Sequence, residues 1–319
     1  MTRYAVLFPG QGSQFVGMGK ALAAALPAAA AVFAEADAVL GFDFSALCFA
    51  GPEQELNDTA NAQPAIFVTS IAAWQALQAT MGSEARPVAM AGHSLGEYSA
   101  LVAAGALQFA DALRLVRARG LAMRAAGAIA PGGMMAVLGM PRATVDELCA
   151  RAAQAADAVV TIANDNCPGQ IVIAGDRRGL EAFTALVQEQ PGALPPTPLK
   201  VSVAPHTPLM QSATASFLAV LAETPIQAPG LPVLGNVSAD WLTTAEAVRQ
   251  ELSEQLTREV RWADSMRRLV DTGVDAVVEV GPGKVLTGLM RVIDRRVNRY
   301  NFGDDPASLP DLRTSLVAS

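Results

Sequence analysis

The 319-residue chain has little of what several protein classes depend on. Its three cysteines, Cys48, Cys149 and Cys167, are too few and too widely spaced for a disulfide framework or a zinc site, so we expect reduced packing residues. No apolar run approaches the roughly 20 residues that a membrane-spanning helix requires. With 17% charged residues, a net charge of −7 and no basic run, the sequence does not favour binding to nucleic acid or to an anionic membrane.

The first residues also lack the features of an export signal. They contain no basic region followed by an apolar stretch and a small-residue cleavage site. We therefore expect a soluble, cytoplasmic protein. The hydrophobic content of 51% and the chain length are sufficient for one large α/β domain with an insertion, or for two ordinary domains.

The order of strand-like and helix-like segments predicts an α/β fold with an inserted unit. Strands predicted at 4–8, 87–92 and 275–283, with helical patterns between them, indicate a mainly parallel sheet. Residues 134–203 follow the order strand, helix, strand, strand, helix, strand, as in a ferredoxin-like unit. The predicted domains are a core formed by 1–127 and 203–302, a ferredoxin-like subdomain at 128–202, and a loose, Pro-, Asp- and Ser-rich tail at 303–319.

Residues 92–96 read Gly-His-Ser-Leu-Gly, a pattern with two interpretations. Between a strand and a helix, it is typical of a nucleophile elbow, in which the hydroxyl of Ser94 stands at the helix N-terminus. Ser94 with Glu97 three positions later also fits a capping box, in which the serine only caps the helix. The segment alone leaves both interpretations open.

A catalytic serine needs a general base, and the sequence contains two histidines. His93 adjoins Ser94 on the turn, where successive side chains point apart, so it is badly placed to take the serine proton. His206 lies in a loop flanked by Pro205 and Pro208, which suit a fixed irregular segment. We predict that His206 is the base if Ser94 reacts; a structural histidine is the alternative.

Two glycine-rich segments resemble nucleotide-binding loops without matching them. The Gly-x-Gly at 10–12 is followed by Phe15 where a dinucleotide fingerprint has glycine, and Lys284 lacks the preceding glycine of a Walker loop. The first segment instead forms a polar turn after a strand, with backbone N–H groups that can face a neighbouring site. One of them, with the N–H of Leu95, would form an oxyanion hole; an ordinary turn between strand and helix is the alternative.

The helix predicted over 109–126 carries an arginine on its apolar side. At about 100° per residue, Arg119 falls within the arc that contains Val116 and Met123, and no acidic residue shares that arc. A guanidinium held there without a protein anion suits a ligand carboxylate, because its planar fork binds both carboxylate oxygens. An internally paired or snorkelling arginine is the alternative.

Taken together, the motifs resemble the malonyl-CoA:acyl carrier protein transacylases. They occur in order over residues 4 to about 300 as FPGQGSQ, GHSLGEYSALVAAGAL, VRARG, NDNCPGQ and EVGPGKVLTGL. The resemblance implies an α/β-hydrolase-like core with a ferredoxin-like subdomain and no permanently bound cofactor. It implies malonyl-CoA and an acyl carrier protein as partners, with coenzyme A and phosphopantetheine carrying the acyl group as thioesters. We also expect a monomer without a metal site.

By this resemblance, a malonyl group passes through an ester on the serine in a ping-pong reaction of fatty-acid or polyketide synthesis. The implied roles are catalytic for Ser94, His206 and Gln255, oxyanion N–H groups on Gln11 and Leu95, binding of the malonate carboxylate by Arg119, and a substrate pocket containing Met123, His93, Asn164 and Pro205.

Three alternatives follow from the same residues. Ala204 and Pro205 precede His206 where the family commonly has Pro-Phe or Pro-Ser, which leaves a substituted malonyl group open as the substrate. An acyl-thioester hydrolase on this fold would pass the acyl group to water, but a hydrolase of neutral esters has no use for Arg119. The third alternative is a non-catalytic module that only docks a carrier protein.

Overall fold

The computed structural model describes residues 2–81, 86–199, 201 and 203–317. Their strands are β1 (Tyr4–Phe8), β2 (Ala89–Gly92), β3 (Gly132–Leu138), β4 (Val160–Cys167), β5 (Gln170–Asp176), β6 (Thr197–Pro198), β7 (Val233–Leu234), β8 (Trp241–Leu242), β9 (Ala276–Val280) and β10 (Asn298–Phe302). Their α-helices are α1 (Lys20–Ala25), α2 (Pro27–Leu40), α3 (Phe44–Ala50), α4 (Glu53–Asn57), α5 (Thr59–Met81), α6 (Gly96–Ala103), α7 (Phe109–Ile129), α8 (Arg142–Ala156), α9 (Arg177–Gln188), α10 (Gln211–Glu223), α11 (Ala245–Glu254), α12 (Trp262–Asp271), α13 (Val285–Ile293) and α14 (Leu309–Val317). Short 3₁₀ turns lie at Pro208–Met210 and Pro306–Ser308.

The larger sheet has the strand order β10-β9-β1-β2-β7-β8. Its neighbouring strands are parallel except β7 and β8, so the prediction of a mainly parallel sheet is confirmed. All five residues of β1 are apolar or aromatic and buried, as expected of a parallel strand covered on both faces. Because these strands point the same way, the loops after β1, β2 and β7 meet at one edge of the sheet.

Helices α5 and α7 pack against each other beside this edge. Gly120 permits the close approach, since a Cβ there would lie only 2.8 Å from the Cα of Ala60. Pro64 lies inside α5 and has no N–H to give to the carbonyl of Ala60; the Arg117 side chain donates to that carbonyl instead. The same packing turns Arg119, which precedes Gly120, into the interior, where it is 1% exposed.

The smaller sheet has the antiparallel order β4-β5-β3-β6, with α8 and α9 between its strands in the chain. This is the order expected of a ferredoxin-like unit, and we call its residues 132–198 the small unit and the remaining described residues the main unit. The last strand is shorter than the predicted 196–203, and Lys200 and Ser202 of that prediction lie outside the described residues.

The end of β4 joins the small unit to the main unit. The backbone N–H of Asp165 donates to the carbonyl of Val260 at 3.0 Å, and the N–H of Val260 donates to the carbonyl of Ala163 at 2.9 Å. Arg142 of the small unit pairs with Asp165 in the same unit and also with Glu259 of the main unit. The small unit is therefore attached through the strand that contains the first four residues of the NDNCPGQ motif.

The prediction of a loose tail at 303–319 is wrong for most of that segment. Helix α14 buries Leu309, Leu312 and Leu316 in the core of the main unit. These leucines recur at helical spacing, but the Pro, Asp and Ser residues around them hide the pattern. None of the helices in the described residues combines the length and the hydropathy of a membrane span.

Candidate active site

The turn after β2 has the geometry of a nucleophile elbow. Ser94 has a φ of +51°, in the left-handed region. A Cβ on Gly92 would lie 1.9 Å from the carbonyl carbon of Gly96, and one on Gly96 would lie 2.1 Å from the Phe8 carbonyl oxygen, so both positions require glycine. Helix α6 begins at Gly96 without a side-chain cap, which makes the capping-box alternative for Ser94 wrong.

His206 lies next to the Ser94 hydroxyl, 112 residues away in the chain. Its Nε2 is 2.9 Å from the Ser94 Oγ, and its Nδ1 is 2.8 Å from the Gln255 carbonyl oxygen and 3.1 Å from that of Arg258. Because carbonyl oxygens only accept, Nδ1 carries the proton and Nε2 presents its lone pair to the serine hydroxyl. The two side chains thus form a dyad whose histidine is oriented by main-chain carbonyls.

The environment keeps this imidazole neutral. Burial, followed by the positive charge of Arg119, lowers the pKa of His206 to about 3. A neutral imidazole at pH 7 can accept the proton of Ser94, as a general base must.

Arg119 contacts the dyad from α7. Its Nη2 donates to the Ser94 Oγ and to the Gln255 Oε1, both at 3.0 Å, and its Nη1 donates to the Gln63 Oε1 at 2.6 Å. Among the described residues, no carboxylate forms an ion pair with this guanidinium. Burial excludes the snorkelling alternative, and internal pairing is confined to neutral groups. A buried guanidinium whose protein partners are amides and a hydroxyl can bind a ligand carboxylate by donating hydrogen bonds to it.

Gln255 connects the three groups and is fully buried. Its carbonyl accepts from His206, its Oε1 accepts from Arg119, and its Nε2 donates to the Ser94 carbonyl oxygen at 3.0 Å. The same Nε2 donates to the Glu97 carboxylate. Burial and the nearby Glu251 carboxylate hold the pKa of Glu97 well above its usual range.

The two predicted oxyanion donors lie on neighbouring loops. A Cβ on Gly10 would lie 2.5 Å from the His93 carbonyl oxygen, so the turn that carries Gln11 packs directly on the elbow that carries Leu95. Within the described residues, neither the backbone N–H of Gln11 nor that of Leu95 donates a hydrogen bond. The Gln11 side chain is held by the Thr59 hydroxyl at 3.0 Å. Both N–H groups are therefore available for a developing negative charge.

The four predicted pocket residues occupy different places. The Met123 Sδ is 3.4 Å from the Arg119 Nη1, and Pro205 is buried beside His206. The His93 Nε2 is 2.8 Å from the Asn166 Oδ1, so this imidazole is engaged by the small unit. Asn164 is buried and bridges to Val260 through the main chain, and no hydrogen bond in the described residues links it to the dyad.

The sequence reasoning missed two buried amides. Gln63 binds Arg119 and also donates to the Thr59 Oγ1 at 2.9 Å. Asn236 accepts from the Ser94 N–H at 2.6 Å. Their sequence signals are a glutamine directly before the proline inside α5 and an asparagine two residues after a strand, at the sheet edge where Ser94 lies. No cluster of three or more His, Cys, Asp or Glu residues in the described part of the chain could hold a metal ion.

Comparisons with known proteins show which family the chain resembles in sequence. The family profile for the acyl transferase domain matches residues 6–298. The malonyl CoA-acyl carrier protein transacylase of Bacillus subtilis is 44% identical over 304 residues, which are 95% of this chain and 94% of that protein.

Solved structures cover the chain equally well. An acyl carrier protein S-malonyltransferase from Vibrio cholerae has a TM-score of 0.92 and 40% identity, over 98% of this chain and 100% of that one. A malonyl-transacylase, solved in complex with its type II PKS acyl-carrier protein, matches with a TM-score of 0.90 and 40% identity, over 100% of this chain and 100% of that one.

Proposed function

The chain belongs to the acyl transferase domain family, and we propose that it transfers a malonyl group from coenzyme A to the phosphopantetheine thiol of an acyl carrier protein. The assignment of catalytic roles rests on one observation, the clustering of three side chains. The Ser94 hydroxyl lies 2.9 Å from a neutral imidazole and 3.0 Å from a buried guanidinium that has no carboxylate partner among the described residues.

In the first half-reaction, the Ser94 Oγ attacks the thioester carbonyl of malonyl-CoA while His206 Nε2 takes the hydroxyl proton. The negative charge of the tetrahedral intermediate falls on the former carbonyl oxygen, where the N–H groups of Gln11 and Leu95 donate to it. The C–S bond then breaks, and the imidazolium returns its proton to the departing coenzyme A thiolate. The product is a malonyl ester on Ser94.

The second half-reaction runs the same chemistry in reverse. His206 takes the proton of the phosphopantetheine thiol, and the resulting thiolate attacks the ester carbonyl. When the C–O bond breaks, the imidazolium returns the proton to the Ser94 Oγ. The imidazole therefore ends each half-reaction neutral, and no permanently bound cofactor is needed.

Arg119 gives the reaction its preference for a carboxylated acyl group. Its guanidinium adjoins the serine oxygen to which the acyl group is attached, and the malonyl carboxylate lies two carbon–carbon bonds from the reacting carbonyl. A carboxylate would supply the anion that the guanidinium lacks, and such a charge-assisted pair is strongest when it excludes water. An esterase of neutral substrates gains nothing from a buried cation here, which favours transfer of malonyl groups over general ester hydrolysis.

The carrier-protein partner is supported by the solved complex of a similar malonyl-transacylase with its acyl carrier protein. Both fatty-acid and polyketide synthesis are compatible with the relatives, one of which is a polyketide biosynthesis protein from Burkholderia thailandensis. A monomer that acts in the cytoplasm stays a prediction.

The test is incubation of the protein with radiolabelled malonyl-CoA, with and without a phosphopantetheinylated carrier protein. We expect label on the carrier and, in its absence, an intact-mass increase of one malonyl group that is lost in Ser94→Ala. Label found only as free malonate would establish a hydrolase. An unmodified wild-type protein would favour a docking module. Repeating the measurement with a panel of acyl-CoA compounds distinguishes malonyl from substituted malonyl groups.

A further inference from the structure

The backbone of the elbow does not hold itself in place. Ser94 adopts a left-handed conformation that is unfavourable for a residue with a Cβ. The turn has two backbone hydrogen bonds of its own, from Gly96 to His93 at 2.9 Å and from Glu97 to Ser94 at 3.2 Å. Neither uses the N–H of Ser94, so the nucleophile needs a restraint from outside the turn.

The Asn236 side chain supplies that restraint. Its Oδ1 accepts from the Ser94 N–H at 2.6 Å, and its Nδ2 donates to the Gly92 carbonyl oxygen at 2.8 Å. One side-chain amide thus bonds the backbone on both sides of His93: its oxygen accepts from the Ser94 N–H, and its nitrogen donates to the Gly92 carbonyl. Asn236 is 1% exposed, so water cannot replace either bond.

Asn236 is itself fixed by the main unit. Its backbone N–H donates to the Glu97 Oε1 at 3.0 Å, and its carbonyl oxygen accepts from the Arg261 N–H at 2.8 Å. The next two backbone N–H groups, of Val237 and Ser238, donate to the buried Glu251 carboxylate. The amide therefore presents a rigid template to the strained turn.

We propose that Asn236 is a positioning residue for Ser94: its side-chain amide holds the elbow so that Oγ stays within reach of His206 and the Leu95 N–H faces the reacting carbonyl. The Asn236 side chain bonds only the backbone of Gly92 and Ser94 among the described residues, so it acts through the backbone of residues 92–94. The proposal rests on the proposed acyl transfer, since its readout is the rate at which Ser94 becomes acylated.

The experiment compares Asn236→Ala with Ser265→Ala. Ser265 is a matched control, because its buried hydroxyl bonds the Gly235 carbonyl oxygen at 3.0 Å, next to Asn236, and has no hydrogen bond to the elbow. Acylation by malonyl-CoA is followed by rapid quenching and intact mass. A displacement of the nucleophile by about 1 Å costs about 100-fold in rate, so we expect a loss of that order in Asn236→Ala, with KM changed less than about threefold. Ser265→Ala should stay within about threefold of the wild type.

Asn236→Asp keeps the shape of the side chain and tests its polarity. An ionised carboxylate can accept from Ser94 but cannot donate to the Gly92 carbonyl, whereas a protonated carboxyl can do both. We expect its acylation rate, relative to wild type, to rise about tenfold as the pH falls from 8 to 5.5. A merely structural defect has no reason to be repaired by acid. This variant also decides the matter if Asn236→Ala does not fold.

Two results would overturn the proposal. One is an equal rate loss in Asn236→Ala and Ser265→Ala at equal folded fraction. The other is an Asn236→Asp rate that stays at the level of Asn236→Ala at every pH. A wild-type protein without any malonyl adduct would instead contradict the proposed function, so the two failures are distinguishable.

Discussion

The two sheets of this molecule bury polar side chains very differently. In the small unit, Asn164 and Asp165 are the only buried polar or charged side chains among the described residues, and both lie where β4 meets the main unit. The main unit buries a connected set at the carboxyl edge of its parallel sheet, including Arg119, His206 and Gln255. Burying such groups is unfavourable unless they bond one another, and here they do.

The difference teaches where the chemistry resides. The small unit has an apolar core of its own, built from residues of its helices and strands such as Val145, Ile173 and Phe183. It contacts the site through Asn166, whose side chain forms a hydrogen bond with His93. The main unit holds the groups that we propose to react, so substitutions there should change the rate far more than substitutions at the junction between the units.

The largest expected effect separates the two histidines, one bonded within the main unit and the other bonded by the small unit. His206→Ala removes the base and should lower Ser94 acylation by about 10⁴-fold or more. His93→Ala removes an imidazole whose Nε2 is directed at Asn166, and should cost about tenfold or less. Rapid-quench intact mass measures both rates. Equal losses would mean that His93 takes part in the chemistry and would break the comparison.

A second contrast lies within α7, where Arg119 enters the site and Arg117 is bonded outside it. Removing a charge-assisted pair costs about 2–3 kcal/mol, so Arg119→Ala should reduce malonyl transfer about 100-fold while acetyl transfer falls much less. Arg117→Ala, which loses bonds to Ala60 and to Asn61, should lower the transfer rates of malonyl and acetyl groups equally and only slightly. Transfer rates with malonyl-CoA and acetyl-CoA decide it. A parallel loss for both groups in Arg119→Ala would remove its role as the carboxylate partner.

These same residues show what the sequence could predict. Ser94, His206 and Arg119 could be selected as candidates because each has a local sequence signal: a serine between glycines on a strand–helix turn, one of two histidines, and an arginine on an apolar helix face. Gln63 and Asn236 carry no charge and follow no periodicity, so their local signals are weak. Asn236 reaches Ser94 across 142 residues, and only the folded sheet brings the two together.

The fold divides in the same way. The buried strands β1, β2 and β9 are recognisable in the sequence as apolar runs between turn residues. Their positions and their parallel direction were predicted correctly. The edge strands β8 and β10 were not predicted, because two residues are too short to form a pattern in β8 and polar residues interrupt β10. The leucines of α14 were overlooked because its composition is that of a loop.

The pH dependence sharpens the comparison between a buried imidazole and an ordinary one. An imidazole with a pKa of 6.5 would be about 97% protonated at pH 5 and lose about 30-fold as a base. Burial and Arg119 lower the pKa of His206 to about 3, so its neutral form persists as the pH falls, and acylation should stay level between pH 8 and 5. Rates of adduct formation across this range test it. A decline centred near pH 6.5 would show that the imidazole is not shielded as described.

The smallest effect is expected at the junction between the two units. Asn166→Ala deletes one partly buried hydrogen bond to His93, worth about 1 kcal/mol, so the acylation rate should fall about fivefold or less. Arg142→Ala is the matched variant, because it loosens the same junction through its pairs with Asp165 and Glu259 without contacting His93. If the small unit matters by its position, both variants lower the rate. If Asn166 acts locally through its bond to His93, Arg142→Ala leaves the acylation rate unchanged, because Arg142 has no contact with His93. A loss above about 100-fold in either variant would place part of the reacting machinery in the small unit and end the distinction between the two sheets.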